Sequence, residues 1–104
     1  MDRRGPLRGA NRHKQELLLS LLRAVREEKG LHQTDVAYAI GHPQSFVSKY
    51  EAGARRLDLL ELNDVCDAVG VGLGEFVSRF EAALERSQEA KRTNRGRLRG
   101  GLKP

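Results

Sequence analysis

The segment that most constrains this chain is Gln33–Gly53, QTDVAYAIGHPQSFVSKYEAG. Val36, Ala37 and Ile40 recur at helical spacing in its first half, and Val47 and Tyr50 do so in its second. Gly41 stands between the halves, four residues after Ala37. Glycine accepts positive φ, so the chain can reverse there. Ala37 is small where a second helix has to pack close. The outward positions of the second half hold Gln44, Ser45, Ser48 and Lys49, which include the short polar side chains that hydrogen-bond base edges.

Two short helices joined by a tight turn form a helix-turn-helix, a shape that fits the DNA major groove. Apolar spacing predicts five helices in all. The first spans about 14–29, with Leu18, Leu21, Leu22 and Val25 as its stripe and Gly30 as its stop. The second spans about 33–40, with Asp35 in its first turn. The third spans about 44–52, and Pro43 fits its first turn, where no helical hydrogen bond is lost. Asp58 is a natural N-cap for a fourth helix over about 58–69, striped by Leu59, Leu62, Val65, Cys66 and Val69 and stopped by Gly70. The fifth spans about 73–86, with Leu73, Phe76, Val77, Phe80 and Leu84 on one face. No strand-like alternation occurs, so the class is all-α, a compact five-helix domain.

A chain of 104 residues has room for one such domain, placed at 14–86. The net charge of +5 is uneven along it. Residues 1–13 carry four arginines against Asp2, residues 87–104 carry six cations against Glu89, and the segment between carries nine basic and twelve acidic residues. The basic excess therefore sits at the ends. Both ends are rich in Arg and Gly and poor in apolar groups, and they read as disordered basic arms. Each is either a solubilising end or an extra phosphate contact.

Several further separated blocks stand in a fixed order: LLRAVREEKG at 21–30, Gln33, Ala37 with Gly41, VSKYEAG at 47–53 and AVGVGLGEF at 68–76. In that order they resemble the phage repressor/Cro-type (XRE) helix-turn-helix family over about 64 residues, Leu17 to Phe80. The resemblance implies a lambda-repressor-like domain whose third helix reads double-stranded DNA. It places Gln33 on a phosphate, with a further role bracing Gln44, and it makes Gln44 the leading base contact, since glutamine both donates to and accepts from adenine. Ser45, Ser48 and Lys49 share that outward face, with Phe46 either meeting a thymine methyl or covering the surface. Arg55 and Arg56 are expected to grip phosphate. The resemblance also pairs Arg26 with Glu51. His42 and Pro43 depart from the family pattern, an aliphatic residue and a capping Ser or Thr being usual there.

The function implied is sequence-specific transcriptional regulation, most simply repression by a homodimer on an inverted repeat. Leu73, Val77, Phe80 and Leu84 are the candidate dimer interface, with Phe76 turned inward. An antitoxin-like role on a protein partner, or sequence-neutral nucleic-acid binding through the Arg-Gly ends, are the alternatives. Cys66 falls in an apolar stripe and reads as core. His13, His32 and His42 make no metal spacing with it or with one another. Neither a nucleophile–base–acid set nor a glycine-rich phosphate loop occurs, so no catalysis and no cofactor are expected. The longest apolar run, around Leu17 to Leu22, is far too short to cross a bilayer, and a cytoplasmic location is expected.

Overall fold

The computed structural model describes the backbone of residues 4–102 and the side chains of residues 11–90. It contains five α-helices: α1 (Arg4–Glu28), α2 (Gln33–Ile40), α3 (Gln44–Glu51), α4 (Leu59–Val69) and α5 (Leu73–Leu102). The bounds of α2, α3 and α4 match the sequence pattern to within about one residue, because each has local stop signals. At Gly41 (φ +73°) the chain turns as the His42 N–H donates to the Ala37 carbonyl at 3.0 Å. Asp58 and Glu61 close a reciprocal box at the start of α4, at 2.8 and 3.0 Å. Pro43 stands one position before α3 as its N-cap, with φ −70° and ψ 158°, not inside the first turn.

The terminal helices run longer than the apolar stripes predict. α1 starts at Arg4 and α5 continues to Leu102, so helix extends into both segments expected to be arms. Pro6 falls in the first turn of α1, where it is tolerated, and no proline interrupts α5. Residues 1–3 and 103–104 of those arms lie outside the described residues. A hydrogen bond of 2.8 Å between His13 Nε2 and Ser87 Oγ joins α1 to α5.

The core gathers Leu19, Leu22 and Val25 from α1, Val36 and Ala37 from α2, and Val47 and Tyr50 from α3, with Val65, Cys66 and Val69 from α4 and Phe76 from α5. Tyr50, Phe76, Leu22 and Cys66 are almost wholly enclosed. Each helix presents an apolar stripe to this centre, and burying the stripes is what makes helices this short stable. Two details differ from the sequence pattern. Leu19 is buried whereas Leu18 and Leu21 are only half-buried, because the turn after α3 closes over that side of α1: a methyl group added at Gly53 would meet Leu19 Cδ1 at 3.8 Å. Leu59 is 65% exposed, so the α4 stripe starts at Leu62; the first turn of α4 is held by its cap and not by burial.

Candidate nucleic-acid interface

The interface is built on α3. Gln44 opens the helix, exposed, and Ser45 and Lys49 are exposed on the same side, with Ser48 half-buried between them. Behind this face a chain of hydrogen bonds runs into the core. Arg26 donates from Nε to Glu51 Oε2 at 2.7 Å and from Nη2 to Glu51 Oε1 at 3.0 Å. Its Nη1 donates to the Leu31 carbonyl at 2.8 Å, which ties the α1–α2 loop to the same guanidinium. Gln33 then donates from Nε2 to Glu51 Oε1 at 2.9 Å, and Gln44 donates from Nε2 to Gln33 Oε1 at 2.9 Å.

This order of donors follows from the carboxylate. An ionised Glu51 only accepts, so Gln33 has to turn its NH₂ group toward it and its oxygen away. That oxygen then selects the NH₂ group of Gln44. Gln44 is left with one N–H and its carbonyl oxygen to offer outward, a donor and an acceptor side by side, which is the pair adenine requires in the major groove. Burial pushes the Glu51 carboxyl up, but the hydrogen bonds from Arg26 and Gln33 and the charges of Arg26 and Arg23 outweigh this and hold it below the usual carboxylate range. The Glu51 hydrogen bond raises Arg26 further, so the pair is fully ionised.

Two residues expected on the contact surface have partners within the fold. Phe46 is only 8% exposed. Its ring packs edge-on to Tyr50 (centroids 5.7 Å apart) and is covered by the His42 ring, stacked at 4.0 Å, and by the Arg55 guanidinium, 4.5 Å from its centroid. Position 46 adjoins buried Val47 and precedes buried Tyr50 by one turn, so it turns to the edge of the core and does not face outward. Arg55, expected on phosphate, donates from Nη1 and Nη2 to both Glu61 oxygens, at 3.1 and 2.9 Å. The Arg55 hydrogen bonds and the Asp58 N–H together hold the Glu61 carboxyl down at about 2. Arg56, the next residue, is exposed.

His42, the residue that breaks the family pattern in the turn, thus has a packing role that only its aromatic ring supplies. The Glu51–Gln33 bond has one signal in the sequence: Glu51 falls seven residues after Gln44, two turns along the same side of α3. On α5, Phe76 is fully buried, Leu73, Phe80 and Leu84 are half-buried, and Val77 is 37% exposed. No group of acidic, His and Cys side chains that fits a metal ion occurs among the described residues, and no helix there is long and apolar enough to cross a membrane.

A short helix packed on a positioning helix, with an oriented amide at its exposed start, defines a helix-turn-helix domain. The helix-turn-helix family model matches residues 22–76. An XRE-family like protein from Pseudomonas syringae pv. tomato str. DC3000 is 36% identical, with a TM-score of 0.71 over 75% of this chain and 95% of that one. The clp gene regulator ClgR from Corynebacterium glutamicum shares the fold at 22% identity, with a TM-score of 0.66 over 82% of this chain and 88% of that one. So does the wild-type restriction-modification controller protein C.Esp1396I, at 21% identity, with a TM-score of 0.65 over 68% of this chain and 91% of that one. No curated protein sequence matches. The chain belongs to the XRE family of helix-turn-helix proteins, a family of DNA-binding transcription regulators.

Proposed function

We propose that the chain is a sequence-specific repressor that binds an inverted-repeat operator as a homodimer and acts in the cytoplasm. One observation carries this reading: the Glu51–Gln33–Gln44 chain, which orients an exposed amide at the start of α3 before any ligand arrives. A preset donor and acceptor lower the ordering cost of a base contact. Ser45, Ser48 and Lys49 complete the reading face, and Gln33 and Arg56 hold the sugar-phosphate strand beside it. Occupying the operator then blocks polymerase.

One domain offers few base contacts, each contributing about 1–3 kcal/mol of discrimination, so a second copy is needed for a specific site. Val77, Phe80 and Leu84 lie at i, i+3 and i+7 on α5 and remain exposed or half-buried, which suits a two-fold helix contact. Half-site centres are then about 34 Å apart, one helical turn. Selection from a random duplex library at near-physiological salt tests the reading. An inverted repeat enriched by the native chain and lost with Gln44→Ala supports it. Sedimentation as a monomer at high micromolar concentration, with only a single half-site enriched, removes the dimer.

A further inference from the structure

The recognition helix begins without the side chain that usually fixes a helix start. Pro43 is the N-cap of α3 and makes no side-chain cap bond. The first turn is closed through the backbone, where the Phe46 N–H donates to the Pro43 carbonyl at 2.9 Å. Gln44 stands inside this turn, so its reach toward a base depends on how firmly the turn is held.

Two side chains hold it from outside. The His42 ring lies nearly parallel to the Phe46 ring, with 13° between the planes and 4.0 Å between centroids. The Arg55 guanidinium carbon lies 4.5 Å from the same Phe46 centroid. One face of a ring cannot take both groups at those distances, so they cover opposite faces and Phe46 is sandwiched. His42 is anchored to α2, its N–H donating to the Ala37 carbonyl at 3.0 Å. Arg55 is anchored at the start of α4, where it donates to both Glu61 oxygens, and it also donates to the Arg56 carbonyl at 2.9 Å. The stack thus links the end of α2, the first turn of α3 and the capped start of α4.

A contact between the residue before an N-cap and the first turn sets the angle at which the chain enters a helix. His42 stands one residue before Pro43 and Phe46 three after it. An aliphatic residue at position 42 could not stack on that ring. The two departures from the family pattern therefore compensate one another: the cap is lost at Pro43 and the stack is gained at His42.

We propose that the His42–Phe46–Arg55 stack positions the start of α3, so that His42 and Arg55 set how sharply Gln44 discriminates between bases. The proposal rests on the base-reading role of Gln44 and adds two positioning residues to it. Gln33 orients the Gln44 amide, and the stack fixes the backbone that carries it. Hydrogen bonds weaken steeply as their geometry worsens, so a loose first turn loses discrimination even when the amide is correctly turned. Neither His42 nor Arg55 needs to touch DNA for this.

The test is competition binding by the full chain, with the selected operator against duplexes altered at one base pair, at a temperature below the melting transition of every variant. His42→Ala is expected to lower discrimination on the order of 10-fold at the base pair facing Gln44 and to change it less than about 2-fold at the pair facing Lys49. Arg55→Ala should lower it at the same base pair. His42→Phe keeps a flat ring on Phe46 and should hold native discrimination, whereas His42→Leu should behave as His42→Ala. Native discrimination in His42→Ala, His42→Leu or Arg55→Ala overturns the proposal, as does an even loss at every base pair, which a purely structural role would give. A loss in His42→Phe as large as in His42→Ala also overturns it, since the imidazole nitrogens and not the ring would then be at work. Gln44→Ala is read separately. Lost discrimination there, with native behaviour in His42→Ala, leaves the α3 reading standing and refutes the stack. Native discrimination in Gln44→Ala overturns both.

Discussion

Arg26 in α1 and Glu51 at the end of α3 form a two-pronged ion pair, at 2.7 and 3.0 Å, across 25 residues of sequence. Both residues are only 9% exposed. Among the described residues no buried side-chain nitrogen or oxygen lacks a hydrogen-bond partner. The pair therefore meets the condition under which buried charge is tolerated, and it connects the core to the DNA face through Gln33.

Removing one partner strands the other. Glu51→Ala is expected to cost about 3–5 kcal/mol of stability, read from denaturant unfolding. The double variant Arg26→Met/Glu51→Leu should recover most of that loss, since apolar residues of similar volume often replace a buried pair without penalty. It should still bind operator weakly, because Gln33 has lost its acceptor. Recovery of both stability and full affinity would show that the pair does not orient the recognition amides.

Gln33→Ala frees Gln44 and removes one hydrogen bond from Glu51, which keeps both of its bonds to Arg26. Operator discrimination is expected to fall by about 1–3 kcal/mol at the base pair facing Gln44, with other positions little changed. Competition binding against single-base operator variants measures this. A loss spread evenly over all positions would instead assign Gln33 to phosphate alone.

Adjacent arginines should behave differently. Arg56→Ala is expected to flatten the salt dependence of DNA binding by about 0.9, the slope for one phosphate contact. Arg55→Ala should leave the slope unchanged and lower thermal stability, because its guanidinium covers Phe46 and binds Glu61. Equal slope changes in the two variants would return Arg55 to the phosphate surface.

Acid should destabilise the fold through two carboxylates. Glu61 is held at about 2 and Glu51 also lies below its usual range, so both bind protons more weakly folded than unfolded. Their stabilisation is complete above the unfolded value of about 4.3 and is lost as pH falls through the folded values. Unfolding free energy should thus decline for Glu61 between about pH 4 and 2. Glu61→Gln should remove part of that slope while leaving stability near neutral pH only modestly changed, as suits a pair near the surface.

Cys66 is fully buried and its thiol is pushed up to about 11 by burial. Alkylation of the native chain at pH 8 should therefore proceed only through opening, and urea should accelerate it in step with the unfolding transition. Rapid stoichiometric labelling under native conditions would contradict the packing around α4.

Much of the fold was legible because its signals are local. Gly41 and Gly70 mark chain reversals by the φ that glycine permits, and Asp58 with Glu61 marks a helix start by mutual hydrogen bonding. Those signals act within four residues, so α2, α3 and α4 end where the text indicates. The start of α1 and the end of α5 carry no such signal, so the apolar stripes fade before the helices end. The exposed polar face of α3 was legible from register alone.

Sequence by itself determined which helices form and which side chains start the recognition helix, since each depends on neighbours one or two turns away. Tertiary structure alone decided that Glu51 anchors Gln33 and that Phe46 turns to the core edge under Arg55. Each of those facts depends on the packing of α1 and α2 against α3 and of α4 against α2, which brings together groups with no fixed spacing in the chain.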